Sequence, residues 1–201
     1  MSGSLAKVDI TGLILAGGRG SRMDGVDKGL QPWRGLPLAQ QVLKRLQPQV
    51  GPVLINANRN LDIYRRWELP VLTDAQAFDF AGPLAGFLAG LDVCTTPYLL
   101  TAPCDSPLLP SDLAERLGNG LLNAQARIAL PKAGGRLQPV FCLMETDLRD
   151  DLRAFFHSGG SKIDLWTARH RMAIVEFDDA HAFENINTKD DLQRLERTES
   201  P

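Results

Sequence analysis

Cysteine, histidine and long apolar runs are all scarce in this chain of 201 residues. Its three cysteines, Cys94, Cys104 and Cys142, are odd in number and widely spaced, which excludes a disulfide framework and a Cys-x-x-Cys motif. His157, His170 and His181 lack metal-ligand spacing, so no structural metal is expected. No apolar stretch approaches the ~20 residues that cross a bilayer. The opening Met1-Ser-Gly-Ser-Leu-Ala-Lys-Val-Asp9 lacks the apolar core of a signal peptide. A formal net charge of −2 provides no general basic field for nucleic acid, so anion binding has to come from local clustering. These absences predict a reduced, cytoplasmic protein that binds neither nucleic acid nor membrane. No repeat, linker or low-complexity tract divides the chain, and residues 1–201 are expected to form one domain.

What is present is alternation. Apolar strand-like runs at Ile10–Leu15, Val53–Asn56, 70–72, 98–102, 126–131, 137–144 and 171–177 interleave with amphipathic helix-like segments. Pro37 opens a helix with Leu38, Val42, Leu43 and Leu46 on one face, and Pro83 another with Leu84, Phe87, Leu88 and Leu91 inward. Further helices are expected over 61–67, after a cap at Ser111 or Asp112, over 147–157, 161–168 and 188–196. Residues 74–82 read as a loop, and Phe155, Phe156 and Trp166 as packing aromatics. This pattern predicts an α/β fold: a Rossmann-like, three-layer α/β/α domain around a mostly parallel sheet. Ligands of such sheets sit beyond the carboxyl ends of the strands, which would gather Ala16 to Lys28, Asn56, Asp74 and Asp105 around one crevice.

The first strand empties into Ala16-Gly17-Gly18, and a loop carrying Arg19, Arg22 and Lys28 follows. Small residues let a phosphate approach main-chain N–H groups, and nearby cations hold its charge. No Gly-Lys-[Ser/Thr] closes the loop as in a P-loop, and Met23 stands where the dinucleotide fingerprint needs its third glycine. The string Leu15-Ala16-Gly17-Gly18-x-x-x-Arg22-Met23-x-x-x-x-Lys28 instead resembles the signature of nucleotidyltransferases of the sugar-nucleotide pyrophosphorylase type. With Val26-Asp27-Lys28-Gly29-Leu30, the likeness narrows to the molybdenum cofactor guanylyltransferases. Ile55-Asn56-Ala57-Asn58-Arg59, Asp74 before Gly82-Pro83-Leu84-Ala85-Gly86, Pro103-Cys104-Asp105-Ser106-Pro107 and Asn185-Ile186-Asn187-Thr188 extend it along most of the chain.

The resemblance implies transfer of GMP from GTP to molybdopterin, or Mo-molybdopterin, with release of pyrophosphate. Arg22 and Lys28 would face the triphosphate, and Asp105 would hold Mg²⁺, making these three the catalytic set. Leu15, Ala16, Gly17, Gly18, Lys28, Asn56, Asp74 and Asp105 would bind GTP, with Asn56 and Asp74 at the guanosine, base or ribose. Gly82, Gln138, Asn185 and Asn187 would lie towards the molybdopterin, although Gly82 equally suits a plain helix start and Asn187 a helix cap. Partners implied are GTP, molybdopterin, other molybdenum-cofactor biosynthesis proteins and molybdoenzyme chaperones. The chemistry is anion meeting anion, so charge and alignment dominate the barrier. At ~4 Å and an effective dielectric of ~20, each unit pair of charges is worth ~4 kcal/mol before desolvation. The alternatives are a molybdopterin cytidylyltransferase, a sugar-phosphate nucleotidyltransferase, and a non-catalytic nucleotide or cofactor binder.

Overall fold

The computed structural model describes residues 4–16, 27–75, 82–186 and 191. In chain order the elements are β1 (Ile10–Leu15), β2 (Pro32–Trp33), β3 (Leu36–Pro37), α1 (Leu38–Leu46), β4 (Val53–Asn56), α2 (Leu61–Arg65), β5 (Val71–Leu72) and α3 (Pro83–Val93). There follow β6 (Tyr98–Pro103), α4 (Leu113–Asn123), β7 (Ile128–Ala133), β8 (Arg136–Leu137), β9 (Leu143–Glu145), α5 (Arg149–His157), α6 (Ile163–Thr167) and β10 (Met172–Phe177).

The main sheet runs β10-β7-β9-β6-β1-β4-β5, with β8 paired to β7. Pairs β1–β4, β1–β6, β4–β5 and β7–β10 are parallel, while β9 is antiparallel to both neighbours. The first strands step outward from β1 through β4 to β5; β6 then crosses to the other flank of β1. That reversal makes the carboxyl ends of β1 and β6 a topological switch point, where open α/β sheets accept ligands.

Alternate residues of the central strands feed two separate cores, as burial on both faces requires. Ile10, Ile14, Val53, Ile55, Leu100 and Ala102 pack with α1, α2 and α4. Leu13, Leu54, Leu99, Ile128 and Leu130 pack on the opposite face with α3, α5 and α6. The layers are α/β/α, as the alternation predicts. Leu38, Val42 and Leu46 of α1 are buried and Leu43 is half-buried; Phe155, Phe156 and Trp166 are all buried packing groups. Helix α3 lies unusually close to the sheet: a Cβ on Gly86 would stand 2.6 Å from Leu15 Cδ2 and 2.7 Å from Asn56 Oδ1.

Two local expectations are altered. Residues 137–144 do not form one strand. Gly134 and Gly135, both at positive φ, turn the chain into a hairpin that places β8 against β7. Pro139 has no N–H to continue a ladder, a turn closes from Phe141 N to Gln138 O, and β9 then inserts between β6 and β7. Asp112 occupies the N-cap of α4 without a side-chain cap bond; its carboxylate lies 3.8 Å from Arg116 Nη1 instead. The helix expected over 188–196 lies outside the described residues except for Asp191, which is helical. Among the described residues no helix is long and apolar enough to cross a membrane.

Candidate active site

Beyond their last paired residues, β1, β4 and β6 remain stitched together. Ala16 N donates to Asn56 O at 2.7 Å, and Cys104 N donates to Leu15 O at 3.0 Å. This holds Leu15 and Ala16 at the switch point, directly between the segments that carry Asn56 and Asp105. Gly17, Gly18 and Arg22, and with them Arg19, lie outside the described residues.

The chain re-enters at Asp27, which caps the short turn Lys28–Leu30 by accepting from Gly29 N. From that turn Lys28 extends to Asp105, Nζ to Oδ2 at 3.5 Å, across 77 residues of sequence. The side chains are 24% and 13% exposed, so the pair faces a partly dry crevice. Burial pushes the Asp105 carboxyl above its ordinary value, and the Lys28 ammonium opposes that shift. Asp105 is fixed from behind: its carbonyl accepts from Ile186 N at 2.8 Å. Next to it, Ser106 Oγ donates to Asn185 Oδ1 at 2.6 Å. Asn185 therefore stands at the Asp105 turn, whereas Asn187 lies outside the described residues.

Asn56 and Asp74 meet at the ends of β4 and β5. Asn56 is buried, and its Nδ2 donates to Asp74 Oδ1 at 2.8 Å. The other Asp74 oxygen accepts from Asn58 Nδ2 at 2.7 Å, while Asp74 N donates to Asn58 Oδ1 at 2.9 Å. Asp74 also borders an open depression of ≈ 400 Å³ between β5 and α3. Gly82 is the N-cap of α3 at φ +59°, a left-handed backbone that suits glycine. Gln138 sits in the turn after β8, its N donating to Pro131 O at 2.9 Å, on the flank of the sheet away from Asn56 and Asp74.

Sequence reasoning passed over Asp27, Asn58, Asn60 and Tyr64. Asp27 lay within the Lys28 signature, but nothing in the local sequence announces that its carboxylate is buried. Asn58 and Asn60 continue a visible alternation from Asn56 that single-residue inspection does not interpret.

Among the described residues no cluster of three or more His, Cys, Asp or Glu could hold a metal ion. Among the described residues, Asp105 is the carboxylate that meets Lys28 at the end of β6. A buried carboxylate destabilised chiefly by desolvation is one that a cation relieves.

Residues 12–173 match the MobA-like NTP transferase domain. A molybdenum cofactor guanylyltransferase of Ralstonia nicotianae is 61% identical over 196 residues, covering 93% of this chain and 96% of that protein. Among solved structures, molybdopterin-guanine dinucleotide biosynthesis protein A of Archaeoglobus fulgidus superposes with a TM-score of 0.76 at 24% identity, covering 94% of this chain and 97% of its own. The 4-diphosphocytidyl-2C-methyl-D-erythritol synthase of Anaerococcus prevotii shares the fold at a TM-score of 0.74 and 13% identity, covering 95% and 96%. A strand end, a lysine and a carboxylate gathered at the switch point of a nucleotidyltransferase sheet, with near-full-length identity of this order, lead to one conclusion: the chain belongs to the molybdenum cofactor guanylyltransferases, within the MobA-like NTP transferase family.

Proposed function

We propose that this enzyme transfers GMP from GTP to molybdopterin or Mo-molybdopterin, with the N-terminal half holding GTP and the C-terminal half the pterin. The meeting of Lys28 and Asp105 at 3.5 Å beside the end of β1 carries this reading. A binding protein needs one cation for a phosphate; pairing it with a half-buried carboxylate at the same place suits group transfer. A terminal phosphate oxygen of molybdopterin attacks the α-phosphorus of GTP in line. The bond to the bridging oxygen breaks, and pyrophosphate carries away the electron pair and the charge.

Each group of the chain has a defined task. Leu15, Ala16, Gly17 and Gly18 would present main-chain groups to the nucleotide, the last three small enough to allow close approach. Arg22 and Lys28 offset the charge that accumulates as two phosphates converge. Asn56 and Asp74 hold the guanosine, with Asn58 fixing the second Asp74 oxygen so that the carboxylate keeps one orientation. Gly82, Gln138, Asn185 and Asn187 are assigned to the acceptor, molybdopterin. Asp105 would hold magnesium, which when bound would supply further neutralisation of the transferring group. The nucleophile arrives already charged, so no general base is required. A cytoplasmic location agrees with the three free cysteines, two of them buried. Other cofactor-biosynthesis proteins and molybdoenzyme chaperones are the expected donors and recipients of the pterin.

Mixing the protein with Mg-GTP and molybdopterin should release pyrophosphate, with CTP and sugar phosphates inactive in place of either substrate. Turnover with CTP would move the enzyme to the cytidylyltransferases, turnover with a sugar phosphate to the sugar-nucleotide enzymes. Tight GTP binding without pyrophosphate would make it a binder.

A further inference from the structure

Asp27 is a buried carboxylate one residue from Lys28, only 6% exposed, with no part in the proposed chemistry. Its Oδ1 accepts from Gly29 N at 3.1 Å and from the Tyr64 hydroxyl at 2.9 Å; its Oδ2 accepts from Asn60 Nδ2 at 3.0 Å. Two of these three donors come from α2 and its N-cap. Tyr64 is fully buried, and burial holds its phenol far above the ordinary range, so it remains a donor. Asn60 sits at the N-cap of α2 with φ +51°, yet its side chain makes no cap bond there and turns to Asp27 instead. The fit is tight: a Cβ on Gly29 would stand 2.4 Å from the Tyr64 hydroxyl oxygen and 3.3 Å from Cys104 Sγ. The turn bearing Lys28 is thus clamped to α2 through the Asp27 carboxylate, by two donors that are themselves neutral. The same short stretch reaches the other way, since Asn56 and Asn58 both bind Asp74.

We infer that Tyr64 and Asn60 are positioning residues for Lys28, acting through Asp27, and that residues 56–60 tie the carboxylate assigned to the guanosine to the lysine assigned to the triphosphate. This rests on the proposed role of Lys28. A displaced lysine head loses interaction with the transferring phosphates, while the fold need lose only one hydrogen bond.

The test is a double-mutant cycle with two readouts, calorimetric binding of tripolyphosphate and steady-state guanylyl transfer. Tyr64→Phe should weaken tripolyphosphate binding about fivefold and lower kcat about tenfold, with a smaller change in the KM for GTP. Placed in a Lys28→Ala background, the same substitution should cost less than about twofold in either readout, because there is no lysine left to misplace. Asn60→Ala, which leaves the Tyr64 bond in place, should show the same non-additivity. Equal losses in both backgrounds, or no loss from either variant, overturn the inference. Absence of guanylyl transfer by the unmodified protein, with non-additive tripolyphosphate binding retained, would overturn the proposed function and leave the positioning role standing.

Discussion

Lys28 and Asp105 are opposite charges in a crevice, yet their energetic roles differ. Lys28→Ala removes a cation from a partly buried crevice and leaves both cores untouched, so kcat should fall by about two orders of magnitude or more on the scale of lost charge stabilisation. The unfolding temperature should stay within a few degrees; steady-state kinetics and thermal melts check both, and retained turnover counts against the role of Lys28. Asp105 pulls the other way. Its folded pKa lies above its unfolded value, so the folded state holds its proton more tightly. The stability it contributes is present below the ordinary carboxylate pKa and is lost as the pH rises through the raised one. At neutral pH the ionised residue therefore costs stability. Asp105→Asn should abolish turnover yet melt no lower than the unmodified protein in metal-free buffer at pH 7, with the difference shrinking towards pH 4. A lower melting temperature at pH 7 would mean that the pairing with Lys28 outweighs burial.

Close approach of backbone decides how elements meet. Helix α3 can lie against the ends of β1 and β4 only because Gly86 has no side chain there. Gly86→Ala would press a methyl onto the Leu15 side chain and onto the Asn56 amide oxygen, displacing the side chain that holds Asp74. Overpacking of this kind costs about 1–3 kcal/mol, and here it should also raise the KM for GTP, because Asn56 holds Asp74. Unfolding in urea and initial-rate kinetics would register the two effects; lost stability with an unchanged KM would separate α3 from nucleotide recognition. Element boundaries were legible wherever apolar runs were uninterrupted, as in β1, β4 and β6. The stretch 137–144 was not, because its composition suits a strand while Pro139 and the turn around Gln138 break it into two pieces that pair with different neighbours.

On the scale of the whole molecule, the proposed nucleotide site draws its groups from both flanks of β1, Asn56 and Asp74 on one and Asp105 on the other. Ligand that binds the folded form alone should raise unfolding free energy by about 2.7 kcal/mol at a hundredfold excess over Kd. The gain should depend on a divalent cation, so a chelator should reverse it and stop pyrophosphate release without unfolding the protein. Differential scanning fluorimetry with GTP, magnesium and a chelator measures this directly; a GTP-induced shift unaffected by the chelator would remove the metal from the nucleotide site.

The roles expected of Lys28, Asn56, Asp74 and Asp105 came from the family resemblance, whereas local pattern alone determined the alternation of strands and helices, the layered class, the small-residue bend after β1 and the gathering of these four residues around one crevice. Those features follow from side-chain periodicity and backbone freedom over a few residues, which a linear string displays. Tertiary structure decided that β9 enters antiparallel between β6 and β7, that Lys28 meets Asp105 across 77 residues, and that Asp27 is buried under Tyr64 and Asn60. Each of these depends on which distant segment supplies a hydrogen-bond partner, and that choice is made by the packing of the whole sheet rather than by any neighbour in the sequence.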